Sequence, residues 1–343
     1  MTLNLDSPIR FLGEQQLLQR VQRFCPAHLV GDDAAVLPVR GDRHLVVTSD
    51  MLVGGIHFSI GLTTSPADVG WRAAAANLSD LAAMGAEPIG ITVSLGLPPE
   101  TPVGWLDELY EGMTECLNRY NTPILGGDLS RSPILSLSIT ALGEVLPTQK
   151  ILRSAAQPGD VIVVTGIHGA SRGGLALLLN SEWGKDLDDA ARNALKRAHQ
   201  RPIPRLDVPP LLWQIDPTGR VAGMDSSDGL ADAVLQICRA SGVGACLWRD
   251  RLPMPDAFRQ TQSLSESDAL DWVLYGGEDF ELVLCMPEAI AQPLLQQLRA
   301  PAAIIGTITA ELPVVLKDPS GAQPDQVLSL ERGFQHFSDS VSA

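Results

Sequence analysis

Cysteine is scarce in this 343-residue chain: Cys25, Cys116, Cys238, Cys246 and Cys285 are scattered, odd in number and without a Cys-x-x-Cys pair. Such a set excludes a disulfide framework or a zinc cage and fits a reducing compartment. No apolar stretch approaches the roughly 20 residues that cross a bilayer, so no membrane partner is expected. Met1 to Phe11 show no basic stretch followed by an apolar core, so no secretory signal is expected and a cytoplasmic location is. Lysine is rare, no run of Lys or Arg occurs, and the formal net charge is −15. Nucleic acid needs a basic face and is excluded as a partner on that ground. The usual nucleotide signatures are absent too. There is no G-x-x-x-x-G-K-[ST] loop, since Gly184-Lys185 is followed by Asp186, and neither a protein-kinase glycine loop nor an H-R-D loop occurs.

What remains is an acidic globular chain, 45% hydrophobic and 19% charged, long enough for two domains. Periodicity predicts helices over 14–24, 67–84, 103–120, 172–179, 230–241 and 289–299. Strands are expected over 34–37, 44–48, 89–95, 123–125, 134–142, 161–165, 221–224, 245–248, 280–286 and 303–309. The mixed order suits an α+β architecture, and the turn at Gln157-Pro158-Gly159-Asp160 opens a second half. Domains of 1–148 and 149–343 are expected. Gly166-x-x-Gly169-x-Ser171 reads either as an anion-binding helix start or as a tight turn packing strand on helix.

The acids carry the chemistry. They recur where an apolar run meets glycine or a small polar residue: Gly31-Asp32-Asp33, Thr48-Ser49-Asp50, Asn77-Leu78-Ser79-Asp80, Gly126-Gly127-Asp128, Asp225-Ser226-Ser227-Asp228-Gly229 and Gly276-Gly277-Glu278-Asp279. Any one of them can be a helix cap or an Asx turn. Six in one chain point to a hard divalent cation, because magnesium takes carboxylate and phosphate oxygens and a protein this acidic needs a cation before it can hold phosphate. Glycine beside the acids lets backbone approach a ligand closely. Asp80 is notable, since a carboxylate within an apolar, alanine-rich helix is costly if buried without a partner.

These motifs, in this order and over nearly the whole chain, resemble the thiamine-monophosphate kinase family of the aminoimidazole ribonucleotide synthetase-like ATP-binding enzymes. The resemblance rests most on Ala76-Asn77-Leu78-Ser79-Asp80-Leu81-Ala82-Ala83-Met84-Gly85-Ala86 and Tyr275-Gly276-Gly277-Glu278-Asp279-Phe280-Glu281-Leu282. It implies transfer of the ATP γ-phosphate to thiamine monophosphate, giving thiamine diphosphate. It implies several magnesium ions held by Asp33, Thr48, Ser49, Asp50, Asp80, Asp128, Asp225 and Asp228. ATP would meet Gly127, Asp128, Arg153 and Ser227, and the acceptor would meet His57, Glu278 and Phe334. No catalytic base is implied, because the acceptor brings an ionised phosphate oxygen. The fold implied is a homodimer whose N-terminal α/β domains form a barrel, each with a C-terminal α/β sandwich domain closing the cleft. Gly54, Leu129-Ser130 and Glu331 depart from the family pattern. Two alternatives stay open on sequence: another ATP-using synthetase of the superfamily, and a non-catalytic nucleotide or metal sensor.

Overall fold

The computed structural model describes residues 6–11, 14–26, 40–59, 61–180, 182–298 and 301–333. The strand expected over 34–37, with Asp33 beside it, and Phe334 lie outside the described residues. The chain divides into two compact units, Met1–Lys150 with Gln200–Leu206, and Ile151–His199 with Asp207–Ala343.

The first unit contains α1 (Glu14–Gln22), β1 (His44–Val53), α2 (Pro66–Ala83), β2 (Glu87–Leu97), α3 (Val103–Asn118), β3 (Ile124–Arg131) and β4 (Ser136–Val145). Its strands form a sheet in the order β1-β4-β2-β3, with β2 and β3 parallel and the other pairs antiparallel. The parallel pair is joined through α3, as a parallel connection requires. The Ser65 hydroxyl accepts the Asp68 amide and Pro66 follows it, which starts α2, and Gly85 at φ 72° follows its end. Helices α2 and α3 pack on each other, and α2 lies against β1, β2 and β4. Trp71, Leu78, Leu81, Leu106, Leu109 and Met113 meet Val93, Leu95, Leu137 and Ile139 there. On the other face of the sheet Leu45, Val47 and Met51 of β1 stay 52%, 57% and 55% exposed.

The segment Gln200–Leu206 belongs to this unit although it follows residues of the other one, so the units are not contiguous in sequence. Arg201 donates to Asp68 Oδ1 at 2.6 Å and Glu115 Oε2 at 2.7 Å, and Trp71 Nε1 donates to the Pro202 carbonyl at 2.7 Å.

The second unit contains β5 (Val161–Val164), α4 (Ala170–Leu179), α5 (Asp189–Gln200, of which Gln200 belongs to the first unit), α6 (Val208–Ile215), β6 (Ala222–Asp225), α7 (Leu230–Ser241), β7 (Gly244–Trp248), α8 (Ala257–Gln260), α9 (Glu266–Tyr275), β8 (Leu282–Met286), α10 (Glu288–Gln297), β9 (Ala303–Thr309), β10 (Val314–Lys317) and β11 (Gln326–Val327). Among the described residues the strands form a seven-stranded mixed sheet in the order β11-β10-β7-β9-β5-β8-β6. Every residue of β5 and β8 is buried, as continuous apolar strands covered on both faces must be. Ile162, Val164, Val283 and Cys285 join Leu230, Val234 and Ile237 of α7, while α10 packs on β5 and on α6.

At the crossing of α2 and α3 the two backbones nearly touch. A Cβ at Gly70 would stand 1.9 Å from the Leu109 carbonyl oxygen, and one at Gly112 would stand 1.9 Å from that of Ala67. Alanine normally favours a helix over glycine by about 1 kcal/mol. Here the sign reverses: Gly112→Ala is expected to destabilise by about 1–3 kcal/mol through overpacking, read as a lowered denaturant midpoint. A midpoint that is unchanged or raised would show that the helices do not cross this closely.

Candidate active site

Strand β1 runs on past the expected end at Thr48 to Val53, so Thr48, Ser49 and Asp50 sit inside a ladder and not at its tip. The pairing with β4 fixes their directions. Thr48 and Asp50 point to the helix-covered face, and Ser49 points to the other face, since side chains alternate along a strand. The Thr48 hydroxyl donates to Asp80 Oδ2 on α2. Asn77, one turn earlier on α2, accepts the Asp50 amide at 3.1 Å and donates to the Ala73 carbonyl at 3.0 Å. One helix turn therefore locks both the backbone of Asp50 and the position of Asp80. Ser49 Oγ donates to the Ile139 carbonyl at 3.0 Å.

Gly127 and Asp128 sit within β3 at the opposite edge. Asp50 is in register with Ile139, Val93 and Gly127, whereas Asp128 is in register with Ser94 and Ser138. Asp128 therefore lies on the uncovered face, roughly 15 Å from Asp50 across three strand spacings. Ser130, at one of the positions that depart from the family pattern, donates to Asp128 Oδ2 at 2.7 Å, and Leu129 packs into the core. His57 is set by a tight turn after β1: its Nδ1 accepts the Val53 amide at 3.0 Å, which leaves the ring proton on Nε2 in the neutral form.

In the second unit Asp225 ends β6, and the turn Ser226–Gly229 leads into α7. Gly229 makes that turn at φ 105°, a conformation open to glycine. Ser227 Oγ donates to Asp225 Oδ1 at 3.1 Å. Asp232, which sequence analysis does not single out, stands on the first turn of α7. Its carboxyl is held above the ordinary range by burial, then by the neighbouring Asp228 charge, while a hydrogen bond from Gln236 and then the Arg153 charge act in the opposite direction. Arg153 opens a short 3-10 turn packed against α7, so this arginine and the Asp225–Asp228 motif are brought to one end of the unit.

Against this turn lies an arch, residues 276–281, between α9 and β8. The Glu278 amide donates to the Ser227 carbonyl at 2.7 Å, and the Ser226 amide donates to that of Glu281 at 2.8 Å. Gly277 is required here, because a Cβ would fall 2.5 Å from the Ser227 carbonyl oxygen. Glu278 and Phe280 have positive φ, 67° and 53°, which few non-glycine residues adopt. Asp279 anchors the arch by accepting the amides of Gly169 at 2.6 Å and Ser171 at 2.8 Å, at the start of α4. Gly166-x-x-Gly169-x-Ser171 thus presents its amides to a carboxyl group of the chain itself. Glu281 accepts the Thr165 hydroxyl at 2.5 Å.

Among the described residues no group of three or more His, Cys, Asp or Glu side chains stands ready to hold a metal ion. Thr48, Asp50 and Asp80 come together in the first unit, and Asp225, Ser227, Asp228 and Arg153 in the second. Asn77 and Asp232 are additions that the motifs contained without marking.

Both halves match family models: residues 31–145 the AIR synthase related protein, N-terminal domain, and residues 157–318 its C-terminal domain. The chain is thus a two-domain α/β protein of the AIR synthase related class. It is 55% identical over 335 residues to the thiamine-monophosphate kinase of Synechococcus elongatus, covering 97% of this chain and 98% of that one. The crystal structure of thiamine-monophosphate kinase from Stenotrophomonas maltophilia K279a superposes with a TM-score of 0.76 at 34% identity, covering 88% and 95% of the two chains. That of AaThiL complexed with AMPPCP and TMP gives 0.71 at 28%, covering 90% and 94%. The chain belongs to the thiamine-monophosphate kinase family.

Burial pushes the Asp279 carboxyl up to about 7, against the two amides that favour its charged form. The fold therefore prefers the protonated acid. That contribution is complete below the unfolded pKa of a carboxyl, about 4, and is lost as pH rises through about 7. Denaturant titrations between about pH 5 and pH 8 should show stability falling across this window, with a shallower fall in Asp279→Asn, which cannot ionise. Parallel slopes in the two proteins would remove Asp279 as the cause.

Proposed function

We propose that this protein transfers the γ-phosphate of ATP directly to thiamine monophosphate, forming thiamine diphosphate and ADP, with several magnesium ions in the site. The observation that carries this reading is the β1–α2 junction, where Thr48, Asp50 and Asp80 meet under the control of Asn77, in a chain of the thiamine-monophosphate kinase family. The donor set is one of hard oxygens, carboxylates with a threonine hydroxyl, which fits magnesium and not a soft metal. Asp33, Thr48, Ser49, Asp50, Asp80, Asp128, Asp225 and Asp228 would hold the ions. Magnesium, when bound, supplies the positive charge that lets two phosphate groups approach.

The chain's own part is placement. Gly127, Asp128, Arg153 and Ser227 would seat ATP, with Arg153 offering a fork of N–H donors to phosphate oxygen. His57, Glu278 and Phe334 would seat the acceptor, whose phosphate oxygen is already ionised near neutral pH. A base is therefore unnecessary, and in-line positioning carries the reaction. Thiamine itself, with a neutral hydroxyl, is not expected to react.

The same reading includes a homodimer of the first units. The exposed Leu45, Val47 and Met51 form an apolar face larger than isolated surface residues make, and a second copy is the occupant the family likeness favours. Asp128 lies on that face. A dimer there would let it serve the site although Asp50 of the same copy faces the other way.

Phosphorus NMR of a mixture with ATP and thiamine monophosphate tests the chemistry. ADP and thiamine diphosphate should appear in equal amounts, only with magnesium and with little orthophosphate. Orthophosphate without thiamine diphosphate would favour the synthetase alternative. Asp50→Asn should keep the fold and lower turnover by at least ~10²-fold. Near-normal turnover at saturating magnesium would remove Asp50 from the site.

Sedimentation equilibrium at micromolar concentration should give twice the 36.6 kDa chain mass, and Met51→Asp should shift the protein toward monomer. A wild-type monomer would overturn the dimer reading and leave the kinase reading standing.

A further inference from the structure

The last turn of α5 carries a histidine that none of the motifs includes. His199 is 3% exposed, and its Nδ1 lies 3.0 Å from Ser171 Oγ and 3.4 Å from Glu278 Oε2. Ser171 is 1% exposed, whereas the Glu278 side chain keeps 33% of its surface open. A bare nitrogen lone pair facing a carboxylate would be repelled. The proton therefore belongs on Nδ1, which lies within reach of both Ser171 Oγ and the carboxylate oxygen. Ser171 has two tasks in this arrangement: its amide holds Asp279 and its hydroxyl meets His199.

Glu278 is thus fixed three times over. Its amide is bonded to Ser227, its φ of 67° is imposed by an arch whose next residue is anchored on α4, and its carboxylate faces a buried ring 3.4 Å away. A glutamate on a solvated surface needs none of this. We propose that His199, seconded by Ser171, is a positioning residue that presents the Glu278 carboxylate to the N–H-bearing heterocycle of the phosphate acceptor. The proposal rests on the reading above in which Glu278 faces the acceptor.

Steady-state kinetics of the full-length protein tests it. His199→Leu should raise the acceptor KM about tenfold or more, with the ATP KM and the melting temperature nearly unchanged, since misplacing one contact group acts on the ligand it contacts. His199→Asn keeps an N–H donor near the position of Nδ1 and should recover most of the loss. Glu278→Gln should raise the acceptor KM similarly, and the double variant should be no worse than either single one. Equal rises in both KM values, additive effects or no effect would overturn the proposal. If Glu278→Gln leaves the acceptor KM unchanged while thiamine diphosphate still forms, the proposal falls and the kinase reading stands.

A second measurement does not depend on turnover. The nitrogen-15 ring resonances of His199, assigned by their absence in His199→Asn, should move in both Glu278→Gln and Ser171→Ala. Resonances that stay in place in both variants overturn the proposal whatever the kinetics show. If the wild type makes no thiamine diphosphate, the kinase reading fails, and these resonances alone decide whether His199 holds Glu278.

Discussion

In the second unit the Ser227 carbonyl accepts the Glu278 amide, and the Glu281 carbonyl accepts that of Ser226. These two main-chain bonds tie a strand-to-helix turn to an arch, and the positions of the acids around them follow. Asp225 is set by the β6–β8 ladder, Asp228 by the turn that Gly229 closes, and Glu278 by the arch itself. The first unit uses the same device in sheet form, with Thr48, Ser49 and Asp50 spaced by the β1–β4 ladder. In both units the backbone, through ladders and turns, sets where the acids stand along the chain.

The arch also illustrates how strain is carried. Two non-glycine residues at positive φ cost of order 1–3 kcal/mol each. They persist because Asp279 and Glu281 bind the arch on either side, to the start of α4 and to Thr165. Burial opposes ionisation of Asp279, while its two amide partners favour it.

Much of this was legible in the sequence, and the limits have physical causes. The long helix ending at Met84-Gly85 and the apolar strands β5 and β8 announce themselves by length, composition and punctuation. The acid motifs announce themselves because glycine or a small polar residue beside a carboxylate marks a constrained backbone. The opposite orientation of Asp50 and Asp128 could not be read, because it depends on register across three strands and on an irregularity between Ile91 and Thr92. Helix α9 carries a cap signal, Ser265 accepting the Asp268 amide, but its apolar stripe is too short to stand out by periodicity. His199 gave no signal at all: a histidine in the last turn of a polar helix ordinarily serves the helix dipole, and its partners lie far away along the chain.

One helix crossing and one turn that admit only glycine show how closely backbones approach around these motifs. At Gly70 and Gly112 two helix backbones approach until no side chain fits, and at Gly277 the arch approaches Ser227 in the same way. Close backbone approach gives dispersion and main-chain contact without demanding charge neutralisation. The first unit can thus support one face of its sheet with α2 and α3 while leaving the other uncovered. On the supported face Asp50 and Asp80 are set by packing. On the uncovered one Asp128 stands with Ser94, Ser138 and the exposed apolar residues of β1. An acid beside exposed apolar residues is a poor element of a monomer's surface design, and that placement of Asp128 is what the proposed dimer would account for.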